Sequence, residues 1–209
     1  MKDTVYAFAE RVDRELKDLT SEEFHSRSGR SKRLREELLP LSRLALFVKL
    51  PGLEVEVEAF EDSGRADGFI RIVGFKEREF EVQITFAGYE YADALRAELL
   101  VIPGFAPGAG EIRRSKKDGS ILATMGAVDQ DEHIGRISAA VMKALNKKAD
   151  KPYAENTVLL VAFEELKIQG RFAWNSLLRT IEGSGKVALG QFSEIYFFNC
   201  ATNEIQKIT

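Results

Sequence analysis

The chain has 209 residues, 44% of them hydrophobic and 30% charged, with a net charge of -3 at pH 7. That composition fits one soluble globular domain with a substantial core and argues against a strongly basic nucleic-acid binder. No apolar run is long enough to span a bilayer, the N-terminus MKDTVYAFAERVDRELKDL is too charged for a secretory signal, and no His/Cys zinc spacing exists.

In chain order, Val5, Phe8, Val12, Leu16 and Leu19 share one helical face. A short helix is expected from Thr20 or Ser21, closed by a capping box to Glu23, and Gly29 breaks the pattern. A further helix is predicted over 31–48, with Pro40 kinking it or shifting its start. LEVEVEAF alternates strictly and reads as a strand with one wet face. FIRIV and EFEVQITFA follow across short links, so the three strands suggest an antiparallel meander. Residues 89–102 read as helix, PGFAPGAG as a loop, and EIRRSKKDGSILAT as a hairpin with a primed turn at Asp118-Gly119. A helix over 129–148 presents Ile134, Ile137, Val141 and Leu145 on one face, with Asp129 or Asp131 as its cap. TVLLVAF has the unbroken apolar character of a strand buried on both faces. A helix over 171–182, a buried strand FSEIYFFNC and a short polar tail complete the chain. The order predicts an α/β domain, a mixed central sheet flanked by helices, over 1–209. Residues 1–30 form a helical extension, 31–165 the core, and 166–209 a final helix and strand.

Cys200 is the only cysteine, so no intramolecular disulfide is available and a reducing cytoplasm is the expected location. It reads as a small apolar residue of a buried strand, His133 as a solvated or capping residue, and Trp174 and Phe172 as core. Basic residues gather at 26–35, 113–117 and 143–151. Each cluster could contact phosphates, and each taken singly reads first as a solvated loop or helix face. EGSGKVALG lacks the spacing of a phosphate loop, PGFAPGAG lacks a dinucleotide fingerprint, and no GxSxG elbow is present. Tyr89 and Tyr91 follow the third strand, where they would stack on bases or serve as core or rim.

Asp67, Glu81 and Gln83 stand out in RADGFIRIVGFKEREFEVQIT. Glu81 and Gln83 are two apart in a strand and share a face, and a plausible register sets Asp67 beside them. Two converging carboxylates repel, a penalty a divalent cation removes, and hard oxygen ligands suit Mg²⁺ or Mn²⁺. The alternative is a solvated strand face.

The segment resembles the core of the PD-(D/E)XK, or restriction-endonuclease-like, nuclease superfamily. The resemblance covers about residues 31–165 by element order. Ala66-Asp67 stands where Pro-Asp is usual, and Glu81-Val82-Gln83 where acid-x-Lys is usual. It implies Asp67 and Glu81 as metal ligands for Mg²⁺ or Mn²⁺, and Gln83 orienting the attacking water or the phosphate. It implies Glu37, or Glu36, as a carboxylate near the metal, and Lys143, Lys147 and Arg33 of the 26–35 cluster as phosphate contacts. The implied activity is hydrolysis of a phosphodiester in nucleic acid, DNA first. Because the fold often dimerises to cut two strands, a homodimer is a further expectation. Loss of the Lys also fits a catalytically inactive domain that binds nucleic acid or protein.

Overall fold

Among the described residues seven strands form one sheet in the order β1 (Lys2–Thr4), β2 (Glu54–Ala59), β3 (Gly68–Val73), β4 (Arg78–Phe86), β7 (Thr157–Phe163), β8 (Glu194–Asn199) and β9 (Glu204–Lys207), and β5 (Ile112–Arg114) with β6 (Ile121–Ala123) form a separate two-stranded ribbon. The computed structural model describes residues 2–26, 29–61, 66–88, 90–101, 106, 110–126, 129–184 and 190–208. Tyr89, Arg27, residues 185–189 of the glycine-rich loop and most of the 103–110 loop lie outside them.

The predicted meander is β2 (Glu54–Ala59), β3 (Gly68–Val73) and β4 (Arg78–Phe86), all antiparallel. The apolar run Thr157–Phe163 is β7, which lies parallel to β4 on one side and to β8 (Glu194–Asn199) on the other. Every residue of β7 is buried, as its unbroken apolar sequence requires. Two edge strands were not expected. Lys2–Thr4 forms β1 against β2, so the N-terminal segment is tied into the sheet. The polar tail is corrected to β9 (Glu204–Lys207), which turns back on β8 through Asn203 at φ 57°.

Helices cover both faces. On one, α1 (Val5–Lys17) and α4 (Leu39–Val48) bury Phe8, Val12, Leu41 and Leu44 against Val57, Ile70, Val82, Leu160 and Phe198. On the other, α6 (Gln130–Ala149) and α7 (Gly170–Gly183) bury Val141, Leu145, Trp174 and Leu177 against Leu159, Val161, Ile195 and Phe197. This second core draws its strand residues from β7 and β8 and none from β2, β3 or β4. On that face the meander offers Glu56, Arg71, Glu81 and Gln83 alongside the half-buried Phe69 and Val73. Trp174 is core as expected, whereas Phe172 is 84% exposed. The buried stripe of α7 runs through Trp174, Leu177 and Ile181, and position 172 lies off it.

α2 (Ser21–Ser26) opens with the predicted capping box: the Thr20 N–H donates to the Glu23 carboxylate (2.9 Å) and the Glu23 N–H to Thr20 Oγ1 (3.2 Å). Gly29, at φ 51°, opens α3 (Gly29–Arg33) rather than ending a helix. Between α3 and α4 the helix widens into a π turn, Leu34–Leu38, in which the Leu39 N–H donates to Leu34 O. Pro40 explains the site of this turn, because it has no N–H to continue an α-helical ladder. α5 (Glu90–Val101) carries the ribbon of β5 (Ile112–Arg114) and β6 (Ile121–Ala123). The ribbon's turn is wider than the two-residue primed turn expected. The Gly119 N–H donates to Ser115 O (3.1 Å), and Gly119 alone of the turn has positive φ, at 73°, where a type I′ turn needs two such residues.

Asn199 fastens the end of β8 to the loop after β7. Its Nδ2 donates to Glu165 O (2.7 Å) and Ile168 O (2.6 Å), and its Oδ1 accepts from the Glu165 N–H (3.0 Å) and the Ala201 N–H (3.1 Å). The side chain is fully buried, so Asn199→Ala strands backbone groups that water cannot reach. The expected cost is about 3 kcal/mol, read as a lower urea midpoint at unchanged slope.

Candidate active site

Asp67 lies one residue before β3, yet it extends the ladder. Its N–H donates to Val82 O (2.9 Å) and its carbonyl accepts from the Phe60 N–H (3.1 Å). Gly68 pairs with Val82 and the Asp67 N–H reaches the same Val82 carbonyl, so Asp67 and Gly68 both oppose Val82, as in a β-bulge, and the Asp67 side chain is turned to Gln83 and Ile84. Gly68 permits this entry. A Cβ there would lie 2.6 Å from Leu41 Cδ2 and 2.9 Å from Glu58 O, so the strand seats against α4 only without a side chain.

The Asp67 carboxylate is held by two donors. Oδ2 accepts from the Ile84 N–H (2.6 Å) and from Gln83 Nε2. Gln83 is 7% exposed, and its amide group also donates to Ile84 O (3.3 Å). Both donors of Gln83 therefore hold the strands and Asp67, and its carbonyl oxygen is what remains for a water. Burial pushes the Asp67 carboxyl above the usual range, although the Ile84 N–H, Lys148 and Gln83 all oppose the shift.

Glu81 sits beside Thr157 in the parallel β4–β7 register. Glu81 Oε2 and Thr157 Oγ1 are both buried with no hydrogen-bond partner among the described residues. Glu37 lies on the π turn, where burial, then the charge of Asp67, pushes its carboxyl up against the pull of Arg33. The Asp67 charge thus lies close enough to disfavour ionisation of Glu37. Arg33 is engaged locally: its Nη2 donates to Phe60 O (3.1 Å) and its Nε lies 3.8 Å from Glu37.

Lys143 and Lys147 are exposed on α6, and the lysine that senses the carboxylates is Lys148. Burial pushes its ammonium down from the ordinary lysine range, while Asp67 and Glu37 pull it up. A helical signal marks this residue: Val141, Ala144 and Leu145 are buried, and 148 continues their stripe at spacings of seven, four and three. Tyr153, in the loop after α6, was also not singled out from the sequence. Its hydroxyl is buried without a partner among the described residues, its ionisation is disfavoured by burial and by Asp67, and its ring packs on Phe192 at 4.6 Å.

The site therefore gathers Asp67, Gln83, Glu37, Lys148 and Tyr153, with Glu81 two residues before Gln83 on β4. Among the described residues no three His, Cys, Asp or Glu side chains are close enough to enclose a metal ion. Mg²⁺, however, is commonly held by one or two carboxylates with water completing its shell. The desolvated carboxylate of Asp67, with the buried, unpartnered oxygen of Glu81 on the adjacent strand, suits that kind of site. Elsewhere, His133 pairs with Glu165 at 2.6 Å rather than standing in solvent, Cys200 is half-buried past β8, and Tyr91 is exposed. Among the described residues no helix is long and apolar enough to cross a membrane. The chain matches no protein-family model, no curated protein and no solved structure.

Proposed function

We propose that this chain is a metal-dependent nuclease-like protein of the PD-(D/E)XK type, hydrolysing phosphodiester bonds of nucleic acid. The observation that carries the reading is the Asp67 carboxylate held by Gln83 of β4, with an unpartnered, buried Glu81 oxygen on the same strand. An antiparallel meander followed by a helix and a parallel fourth strand is the core order the resemblance implies.

Asp67 and Glu81 would hold Mg²⁺ or Mn²⁺, with Glu37 as an outer carboxylate. When bound, such an ion polarises a phosphoryl oxygen and makes hydroxide accessible near neutral pH. Gln83 and the Ile84 N–H fix the Asp67 carboxylate in place, so no reorganisation is needed on loading. The Gln83 carbonyl oxygen is the acceptor left to orient a water. Lys148 brings the positive charge that Gln83 lacks, from α6 rather than from β4, and would stabilise charge developing on the phosphoryl oxygens. One observation favours the second reading, a non-catalytic domain of the same fold: the Gln83 amide is committed to Asp67, as in a site that has closed on itself.

Calorimetric titration with Mg²⁺ and Mn²⁺ separates the two. Wild type is expected to bind metal, Asp67→Ala and Glu81→Ala to lose binding, and cleavage of DNA or RNA to vanish with it. Metal binding without cleavage would favour the second reading, and no metal binding by wild type would sink the first.

A further inference from the structure

The β5–β6 ribbon lies outside the main sheet, and the site described above makes no use of it. Its register pairs Ile112 with Ala123, Arg113 with Leu122 and Arg114 with Ile121. Directly opposed residues share a face, so the ribbon has two distinct sides. On one, Ile112, Ile121 and Ala123 are half-buried, and Arg114 is bound to Glu98 of α5. That side faces the protein. The other side presents Arg113 and Leu122, both exposed, and leads to Lys116 and Lys117 at the tip. None of Arg113, Lys116 and Lys117 has an ion-pair partner among the described residues. The acid at the tip, Asp118, is exposed but hydrogen-bonded within the turn: its Oδ1 accepts from the Ser120 N–H (3.1 Å) and hydroxyl (2.7 Å).

The ribbon is also pinned at its base. The Glu111 N–H donates to Thr124 Oγ1 (3.0 Å) and the Thr124 N–H to Glu111 O (3.0 Å). Gly110 packs so closely that a Cβ would stand 2.1 Å from Thr124 O. Three cations on a preformed arm cost little ordering entropy on binding.

We propose that this ribbon is a docking element for duplex DNA, an inference that rests on the nuclease reading above and names its substrate. Charge complementarity points to a phosphate backbone. The outward side carries no aromatic ring, which argues against single strands, whose binders stack bases on aromatic side chains. A two-stranded ribbon fits the major groove of B-form DNA, while the deep, narrow major groove of an RNA duplex excludes it.

The test is fluorescence anisotropy in EDTA, across a salt series, with a labelled DNA duplex of roughly two helical turns. Its single strand and the matching RNA duplex serve as comparisons. Wild type is expected to prefer duplex DNA. The triple variant R113A/K116A/K117A is expected to bind at least tenfold more weakly, with the log affinity–log salt slope shallower by about 2 to 3, near 0.9 per lost phosphate contact. These side chains are exposed, so the variant should melt with wild type. An unchanged affinity and slope in the variant, or wild type that ignores duplex DNA or prefers either comparison nucleic acid, overturns the proposal. Asp67→Asn keeps the two readings apart. Ribbon-dependent duplex binding with no metal-dependent cleavage would leave the ribbon standing and remove the nuclease reading. Cleavage that needs Asp67 but is indifferent to the ribbon variant would do the reverse.

Discussion

Asp67→Asn is expected to abolish metal-dependent cleavage and, at neutral pH, to raise the melting temperature. The first effect follows from removing a charged ligand from the proposed ion, a loss of about a thousandfold or more. The second follows from linkage. Burial raises the Asp67 carboxyl above its usual range, so its folded pKa exceeds its unfolded one. The contribution of such a group favours the fold below the unfolded pKa and is lost as pH rises through the raised folded pKa. At neutral pH the ionised carboxylate therefore destabilises the native state, and Glu37, raised partly by Asp67, adds to this with the same sign. Asn is isosteric, and its Oδ1 can still accept from the Ile84 N–H and from Gln83 Nε2. Melting curves from pH 3 to pH 8 should show the variant's advantage vanishing on the acid side, below the ordinary carboxylate range of about 4. Mg²⁺ should raise the wild-type melting temperature and leave the variant unmoved. A variant that is less stable at neutral pH, or that still cleaves, would remove Asp67 from the role given it here.

The parts of this arrangement that the sequence carried are those set by period and by capping. The alternation of LEVEVE, the unbroken TVLLVAF and the pairing of Thr20 with Glu23 each state a local structure directly. That Glu81 and Gln83 share a face needs only the two-residue repeat of a strand. That Asp67 reaches Gln83 needs the pairing at the entry to β3, which the hydrogen bonds to Val82 and Phe60 set and which no single segment contains. The edge strands were hidden for a different reason. β1 is three residues long and β9 four, both too short for alternation to register, and β9 depends on Asn203 entering the left-handed region. Lys148 was legible but passed over. The same cluster offers Lys143, Lys147 and Lys148, and only the angular position of 148 beneath Val141 and Leu145 brings it to the buried side. The off-stripe position of Phe172 was legible in the same way.

That choice among lysines leads to a charge-exchange experiment. Lys148→Met keeps the length and the apolar stem of the side chain and removes the charge, and it is expected to lower kcat by about 10²- to 10³-fold. Metal binding should persist, because the carboxylates remain, and calorimetry compares it directly. Gln83→Lys in that background should recover part of the loss. A lysine at 83 would occupy the Lys position of the acid-x-Lys pattern and could pair with the Asp67 carboxylate that Gln83 now holds. The two changes together should be far from additive, since both alter the charge beside one carboxylate. pH profiles supply a readout that a purely structural lysine would not move. Burial holds the Lys148 pKa below the ordinary lysine range, so wild-type cleavage should decline as pH rises through that lowered value. The exchanged protein, with its charge paired to Asp67, should keep its activity to higher pH. Wild-type rates in Lys148→Met would show that α6 supplies no catalytic charge. A further loss on adding Gln83→Lys would mean that the amide of Gln83, not a missing cation, is what the site requires.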